Sequence, residues 1–105
     1  MSEKITNFEV QASHKCIELF GWDELWELAY SFNFTEEDFY PWKWWFGTTE
    51  ERALAPQKVE VTIMEIKGTK VIILPYIDKN GIYVISFDPS SELHHVKDGQ
   101  HRTKI

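Results

Sequence analysis

Cysteine, glycine and basic residues are scarce in this chain of 105 residues, and long hydrophobic runs are missing. The single cysteine excludes an internal disulfide and a zinc site of the four-cysteine type. The five glycines occur singly, so no glycine-rich loop can cradle a phosphate group. The longest uncharged apolar run, residues 71–77, is much shorter than the ~20 residues of a membrane-spanning helix. We therefore expect no cofactor, no metal centre and no membrane partner.

Motifs of catalysis and of secretion are missing as well. The sequence contains neither Gly-x-Ser-x-Gly nor His-Glu-x-x-His. No pairing of a nucleophile with a base can be discerned, and we expect that the protein is not an enzyme. The first residues lack the basic start and apolar segment of a secretory signal, and a lone cysteine suits a reducing compartment. We therefore expect a cytoplasmic protein.

The charge balance is acidic and uneven along the chain. The net charge is -6 and the isoelectric point is near 5.1, which disfavours nucleic acid as a partner. Residues 1–56 contain 11 acidic and 4 basic residues, whereas residues 57–105 contain 6 and 7. Residues 17–41 include seven acidic residues and no Lys or Arg. A surface built from this stretch would carry charge of one sign.

Apolar and aromatic residues are abundant. They make up 43% and 15% of the chain, with five tryptophans, which is enough to fold one domain over residues 1–105. We predict an α+β fold, with two to three N-terminal helices packed on a three-stranded antiparallel meander and a short C-terminal helix or tail. The predicted parts are a helical, acidic stretch at 1–56, a sheet at 57–88 and a polar segment at 89–105.

The first predicted helix rests on a capping pattern and on helical spacing. A Thr and a Glu three residues later fit a capping box at residues 6–9. Phe8, Ala12 and Cys16 then recur at intervals of four, which is typical of one face of a helix. Gly21 is the expected end of this helix.

Further helices are predicted before the middle of the chain. Apolar residues at helical spacing predict a second helix from residue 22 to about residue 32. Residues 35–38 fit another helix start, which Pro41 should end or kink. Residues 42–47 are ambiguous between helix and extended chain. A short helix is predicted over 48–55, with one of its two first threonines as the cap.

The second half predicts an antiparallel meander. Its three strands are about 58–66, 69–77 and 82–87. Lys67 and Gly68 suit a two-residue turn, which makes Ile66 and Thr69 a hydrogen-bonded pair.

A second turn fixes the rest of the register. Residues 78–81 suit a type I turn followed by a glycine bulge, which pairs Asp78 with Ile82. The two turns are compatible because each residue of the middle strand directs its backbone groups to one side. The missing N–H of Pro75 then faces the first strand, at a point where that pairing can end.

Both faces of this sheet would be apolar. One face is predicted to carry Met64, Ile66, Val71, Ile73, Ile77, Tyr83, Ile85 and Phe87. The other is predicted to carry Val61, Ile63, Ile72, Leu74, Tyr76 and Val84. The helices can cover one face, and the other face must be covered by the tryptophan-rich segment, the C-terminal segment or another chain.

The polar C-terminal segment contains a weak metal candidate. Asp88 fits the cap of a helix that Gly99 could end, and residues 100–105 are expected to form a mobile tail. The residues of interest are Glu92, His94, His95 and His101. Only Glu92 and His95 would share one face of a helix, so ordinary surface histidines are favoured over a metal site.

Cys16 and His14 are a second weak candidate. Two residues apart on a helix, they point away from each other. Since Cys16 also lies on the apolar stripe, a buried structural cysteine is favoured over a reactive thiol.

Six acidic residues are the main candidates for partner binding. They are Asp23, Glu24, Glu27, Glu36, Glu37 and Asp38. If the helices that carry them pack side by side, they form a surface of one sign that attracts a basic partner and accelerates encounter. The alternative is a solvated face that keeps the protein in solution.

The tryptophan-rich segment, residues 40–46, is the strongest anomaly of composition. Its rings can cover the sheet, or they can form an aromatic anchor for a protein, a carbohydrate or a proline-rich peptide. We include Trp42 and Trp44 among the partner-binding candidates. The sequence leaves open whether this cluster is core or interface.

Small size, acidic asymmetry and the missing catalytic motifs favour one class of function. We expect an intracellular protein-binding inhibitor of the immunity or antitoxin kind, which blocks a basic partner through its acidic helical face. One alternative is a structural or regulatory subunit that forms a homodimer through an apolar sheet face. Another is a binder of small molecules or carbohydrates that uses the tryptophan cluster.

Overall fold

The computed structural model describes residues 3–54 and 61–89, which fold into a five-stranded sheet with helices on it. The strands are β1 Glu9–Ala12, β2 Tyr40–Pro41, β3 Thr62–Ile66, β4 Thr69–Ile77 and β5 Tyr83–Asp88. The helices are α1 His14–Phe20, α2 Trp22–Ser31, α3 Lys43–Phe46 and α4 Thr49–Ala53, with a 3₁₀ turn at Glu36–Asp38. The predicted C-terminal helix, the tail and residues 58–60 of the first predicted meander strand lie outside the described residues.

The predicted meander and its register are confirmed. β3, β4 and β5 are antiparallel neighbours, and Ile66 pairs with Thr69. Lys67 and Gly68 both have positive φ, 51° and 79°, as a two-residue hairpin turn of type I′ requires. The hydrophobic pattern and the turn agree on one register, since a slip by one residue would exchange the two faces.

The turn between β4 and β5 has the predicted glycine bulge. The backbone N–H of Gly81 donates to the Asp78 carbonyl at 3.0 Å, and the N–H of Asp78 donates to the Ile82 carbonyl at 2.9 Å. The Asp78 carboxylate also accepts from the backbone N–H groups of Asn80 and Ile82, at 2.8 and 2.9 Å. These hydrogen bonds hold the backbone of the turn that connects β4 to β5.

The prediction of a helix from residue 6 onward is wrong in its first part. Residues Glu9–Ala12 form β1, which pairs in parallel with β5. Val10 and Ala12 are buried on one face of the sheet and Gln11 is buried on the other, the alternation of a strand. The helix begins only after Ser13, whose Oγ accepts from the Cys16 N–H at 3.2 Å.

Gly21 ends α1, as predicted, and connects it directly to α2. Its φ of 77° and ψ of 158° lie in a region that is nearly restricted to glycine. Its N–H donates to the Ile17 carbonyl at 2.9 Å, and its carbonyl accepts from the Leu25 N–H at 3.1 Å. One residue thus completes one helix and starts the next.

The edge of β4 is shared by two short strands. β3 pairs with β4 as far as Ile73, and β2 pairs in parallel with Tyr76 and Ile77. Pro75 lies between the residues of β4 that pair with β3 and those that pair with β2. The stretch of the first predicted strand that would face Pro75 lies outside the described residues, and β2 itself was not predicted.

The predicted arrangement, a sheet of three strands only with an entirely helical first half, is wrong. The sheet is mixed and has five strands in the described residues, because parts of the supposedly helical first half, β1 and β2, join it. Residues 36–38 form a single 3₁₀ turn before Tyr40 pairs with β4, so no longer helix develops there. α4 has its predicted cap at Thr48, which exchanges hydrogen bonds with Glu51.

Other segments pack on both faces of the sheet, and Ile63 of β3 remains 48% exposed. α1 and α2 pack on the face that carries Val71, Ile73, Ile85 and Phe87. The tryptophan-rich segment packs on the face that carries Ile72, Leu74, Tyr76 and Val84. The predicted division of residues between the faces is confirmed. The tryptophan-rich segment is one of the three predicted covers, and the C-terminal segment, another of them, lies outside the described residues.

Candidate functional site

The acidic residues of α2 lie on its outer side. Leu25 and Ala29 are buried against the sheet, because apolar residues recur along one side of the helix. This orientation leaves Asp23 and Glu27 exposed and Glu24 partly exposed. Because the apolar side of α2 packs on the sheet, its carboxylates point away from the sheet.

Glu24 has a partner within the chain. Its carboxylate lies 2.7 Å from the ammonium of Lys67, in the turn between β3 and β4. The same ammonium lies 5.9 Å from the centre of the Phe20 ring. An exposed pair of this kind contributes little stability, but it does reduce the negative charge at this position.

The acidic residues of the 3₁₀ turn have different surroundings. The Asp38 carboxylate accepts from the backbone N–H of Thr35 at 2.7 Å and thereby caps the turn. Glu36 accepts a hydrogen bond from the Tyr83 hydroxyl, which raises the pKa of Tyr83 because the bond favours the protonated phenol. Glu37 is exposed.

These two groups of carboxylates lie on the same side of the sheet but toward its opposite ends. Glu24 is beside Lys67 at the start of β4, and Glu36 is beside Tyr83, which pairs with Ile77 at the end of β4. A strand of nine residues spans about 26 Å. The six acidic residues thus form a band along the helical side, which we call the acidic band, and they do not converge on one point.

A lysine lies within this band. The ammonium of Lys4 donates to the Tyr30 carbonyl at 2.8 Å, near the C-terminal end of α2. The backbone of Lys4 also forms an isolated antiparallel β-bridge with Thr35. Lys4 therefore links α2 to the 3₁₀ turn. Lys4 and Lys67 reduce the negative charge of the acidic band, which the sequence predicts to be purely negative.

Trp42 and Trp44 lie on the other side of the sheet. Trp45 is only 4% exposed and belongs to the core of that face, while Trp42 and Trp44 are partly buried and pack against this core. The sheet therefore separates the two predicted tryptophans from the six predicted acidic residues. A single flat partner surface cannot contact both sets.

A hollow of about 430 Å³ opens beside Trp42. The backbone N–H of Trp42 donates to the Ile77 carbonyl at 2.7 Å, which holds the tryptophan-rich segment against the end of β4. The hollow is lined by Pro41, Trp42, Lys43, Glu51, Ile77, Asp78 and Lys79. The sequence indicated Trp42 as a binding candidate but not the rest of this lining, because its residues come from three separate segments.

Cys16 and His14, the other candidates among the described residues, do not form a reactive pair. Cys16 is fully buried, and this burial raises the pKa of its thiol to about 11, while His14 is exposed on α1. Within residues 3–54 and 61–89, no three His, Cys, Asp or Glu side chains are placed to hold a metal ion. His94, His95 and His101 lie outside the described residues. No helix in the described part of the chain has the length and apolar character to cross a bilayer.

Comparisons with known proteins provide no relative from which a function could be inferred. No family model matches the chain, and neither the curated proteins nor the solved structures include a significant match.

Proposed function

We propose that this protein is an intracellular inhibitor of the immunity or antitoxin kind, which binds a basic protein through the acidic band and has no chemistry of its own. The observation that carries the proposal is the outward orientation of the α2 carboxylates. Asp23 and Glu27 are exposed on the side of α2 that faces away from the core. They lie in a stretch of the chain, residues 17–41, that contains no Lys or Arg.

The shape of the band indicates the kind of partner surface that would fit it. Its carboxylates extend along α2 and on to the 3₁₀ turn, so they match an elongated row of basic residues better than one deep cationic pocket. Such a row is typical of the substrate cleft of a nuclease-like enzyme. Charges arranged in this way increase the rate of association, and that increase declines as salt screens them.

Charge reversal tests the proposal. We would compare Asp23→Lys/Glu27→Lys with the control Glu50→Lys/Glu65→Lys, whose residues are exposed on the other side of the sheet. The bait would be the purified protein, and the prey an extract of its native cells together with the product of the reading frame immediately upstream. Exposed substitutions should change the free energy of unfolding by less than about 0.5 kcal/mol, so binding changes would report on the interface.

The expected result is a partner that is retained at low salt, released at high salt, retained by the control and lost by the band variant. A partner that binds both variants equally, or whose binding ignores salt, would contradict the proposal. Recovery of no partner under any condition would contradict it as well.

The alternative of a homodimer through an apolar sheet face has less support. The described helices and the tryptophan-rich segment pack on both faces, and Ile63 of β3 is the large apolar side chain of the described strands that they leave exposed, at 48%. Sedimentation at micromolar concentration tests it, because that alternative requires a dimer.

A further inference from the structure

Four residues of α2 form one continuous stripe on the surface of this helix, which we call the α2 stripe. The residues are Asp23, Trp26, Glu27 and Tyr30. They follow each other at intervals of three and four, so their side chains are neighbours on the helix. Asp23 and Glu27 are exposed, Trp26 is half-buried and Tyr30 is 52% exposed. The stripe therefore places two carboxylates beside two aromatic rings.

A third ring holds the two rings of the stripe in place. The centre of the Tyr30 ring lies 5.6 Å from that of Trp26 and 5.2 Å from that of Phe8, and the Phe8 and Trp26 rings are stacked at 6.0 Å. Phe8 immediately precedes β1 and belongs to the core, so it connects both rings to the interior. More than half of the Tyr30 surface still remains accessible to solvent. An aromatic side chain held in this way can bind a partner with little loss of conformational entropy.

The carboxylates of the stripe are available to a cation. No described residue forms an ion pair or a side-chain hydrogen bond with Asp23 or Glu27. The ammonium of Lys4 is bonded to the backbone carbonyl of Tyr30, at the C-terminal end of α2. The Tyr30 ring instead contacts Trp26, one turn earlier, because helical side chains lean toward the N-terminus of their helix. An exposed ring and an exposed carboxylate thus lie side by side, at Tyr30 and Glu27.

We propose that the α2 stripe binds an arginine side chain of a protein surface, with the guanidinium stacked on the Tyr30 ring and its N–H groups donating to the Glu27 carboxylate. A guanidinium is planar, so it can stack on an aromatic ring while it donates several hydrogen bonds, whereas the compact ammonium of a lysine cannot stack. The assignment of this arginine to a basic partner rests on the inhibitor function proposed above. The aromatic anchor of that interface is then on α2, and not at Trp42 and Trp44.

The experiment is a titration of the full chain, at low salt, with two peptides of equal length and charge, nona-arginine and nona-lysine. Binding is followed by NMR at the Tyr30 ring, the Trp26 indole and the backbone amides. The ring variant is Tyr30→Leu, which keeps an apolar side chain, and its control is the conservative Tyr30→Phe. The charge variant is Glu27→Gln, and its control is Glu50→Gln, which removes an exposed carboxylate on α4.

We expect saturable shifts at Tyr30 and Trp26 with both peptides, because the carboxylates attract both. Nona-arginine should bind about two- to fivefold more tightly than nona-lysine, the range for one cation–π contact at an exposed site. Tyr30→Leu should remove this preference and Tyr30→Phe should keep it. Glu27→Gln should weaken the binding of both peptides more than Glu50→Gln does. If Tyr30→Leu fails to fold, the preference and the shifts of the unaltered protein decide.

Three results would overturn the proposal. They are equal affinity of the unaltered protein for the two peptides, a preference for nona-arginine that Tyr30→Leu leaves unchanged, and no saturable shifts at Tyr30 or Trp26 up to about 1 mM peptide. The titration needs no native partner, so it decides on the arginine site even if no partner is recovered. Conversely, a partner that is lost by Asp23→Lys/Glu27→Lys but fully retained by Tyr30→Leu would support the inhibitor function and contradict the arginine site.

Discussion

The Tyr76 hydroxyl donates a hydrogen bond to the side-chain oxygen of Gln11, and both residues are almost completely buried. Tyr76 lies on β4 and Gln11 on β1, with β5 between them. On β5, Val84 pairs with Tyr76 and Ser86 pairs with Gln11, so the two side chains meet across this strand, on the face that the tryptophan-rich segment covers. This bond ties the first strand of the chain to the centre of the meander.

Loss of the Tyr76 hydroxyl should therefore destabilise the fold. We expect Tyr76→Phe to lower the free energy of unfolding by about 1–3 kcal/mol, because a buried acceptor loses its donor. Urea denaturation measures the change. The control is Tyr40→Phe, where the hydroxyl bonds to no described residue and the change should stay within about 0.5 kcal/mol.

A double-mutant cycle with Gln11→Leu separates the bond from other effects. Replacing both partners by apolar groups should cost less than the sum of the single changes, with a coupling of about 1 kcal/mol. Additive losses would show that the two side chains do not interact in solution.

The backbone at Gly21 leads to a second prediction. A Cβ at this position would meet nothing within 4 Å, so the only obstacle to alanine is the φ of 77° with ψ of 158°. We expect Gly21→Ala to lower the free energy of unfolding by about 1–3 kcal/mol. Thermal or urea denaturation checks this, with Asn33→Ala, an exposed position after α2, as the control. A neutral Gly21→Ala would mean that the α1–α2 junction has another geometry.

The meander could be predicted because its information is local. Two turns with specific residue requirements, at Lys67-Gly68 and Asp78–Gly81, fixed the register independently and agreed. The alternation of apolar residues then assigned each side chain to a face, as observed in both core clusters.

β1 could not be predicted because two periodicities coincide there. Phe8, Ala12 and Cys16 fit a helix, but Phe8, Val10 and Ala12 also fit a strand. The choice depends on parallel pairing with β5, more than 70 residues later in the chain. The two residues of β2 are likewise determined by their distant partner and not by a local pattern.

For the candidate sites, too, only features that depend on a local pattern could be predicted. The amphipathic pattern of α2 predicted which carboxylates face outward, since that pattern is a property of one helix. It could not predict that Lys67 approaches Glu24 or that the sheet separates Trp42 from the acidic residues. Such relationships arise only when distant segments pack together.

The turn at Lys67 leads to a third prediction. Lys67 is a non-glycine residue with a φ of 51°, at the first central position of a type I′ turn, where asparagine is preferred. We expect Lys67→Asn to raise the free energy of unfolding by up to about 1 kcal/mol, less the small contribution of the ion pair with Glu24. Glu24→Gln removes this ion pair together with the favourable charge of Glu24 in the first turn of α2, and should cost less than about 1 kcal/mol. If Lys67→Asn lowers the free energy of unfolding by more than Glu24→Gln does, this explanation of the turn is wrong.

The buried thiol of Cys16 leads to a prediction about alkaline pH. Burial raises its pKa from 9.0 to about 11, and the nearby Asp88 carboxylate acts in the same direction. Between about pH 9 and 11 the unfolded chain loses this proton while the native protein keeps it. The native state then binds more protons, so the free energy of unfolding decreases as the pH rises, by at most ~1.4 kcal/mol per pH unit from this group.

Below about pH 8 the thiol is almost fully protonated in both states and makes almost no contribution to the pH dependence. Other groups also titrate at alkaline pH, so the measurement is the difference between the unaltered protein and Cys16→Ala in urea denaturation at several pH values. The unaltered protein should show the steeper decline between about pH 9 and 11, and the slopes should agree at pH 6–8. The native thiol should also remain unmodified by a thiol reagent at pH 8 until the chain unfolds, because the thiolate is the reactive form. Equal alkaline slopes in the two proteins, or rapid modification of the native protein, would show that Cys16 is accessible to solvent.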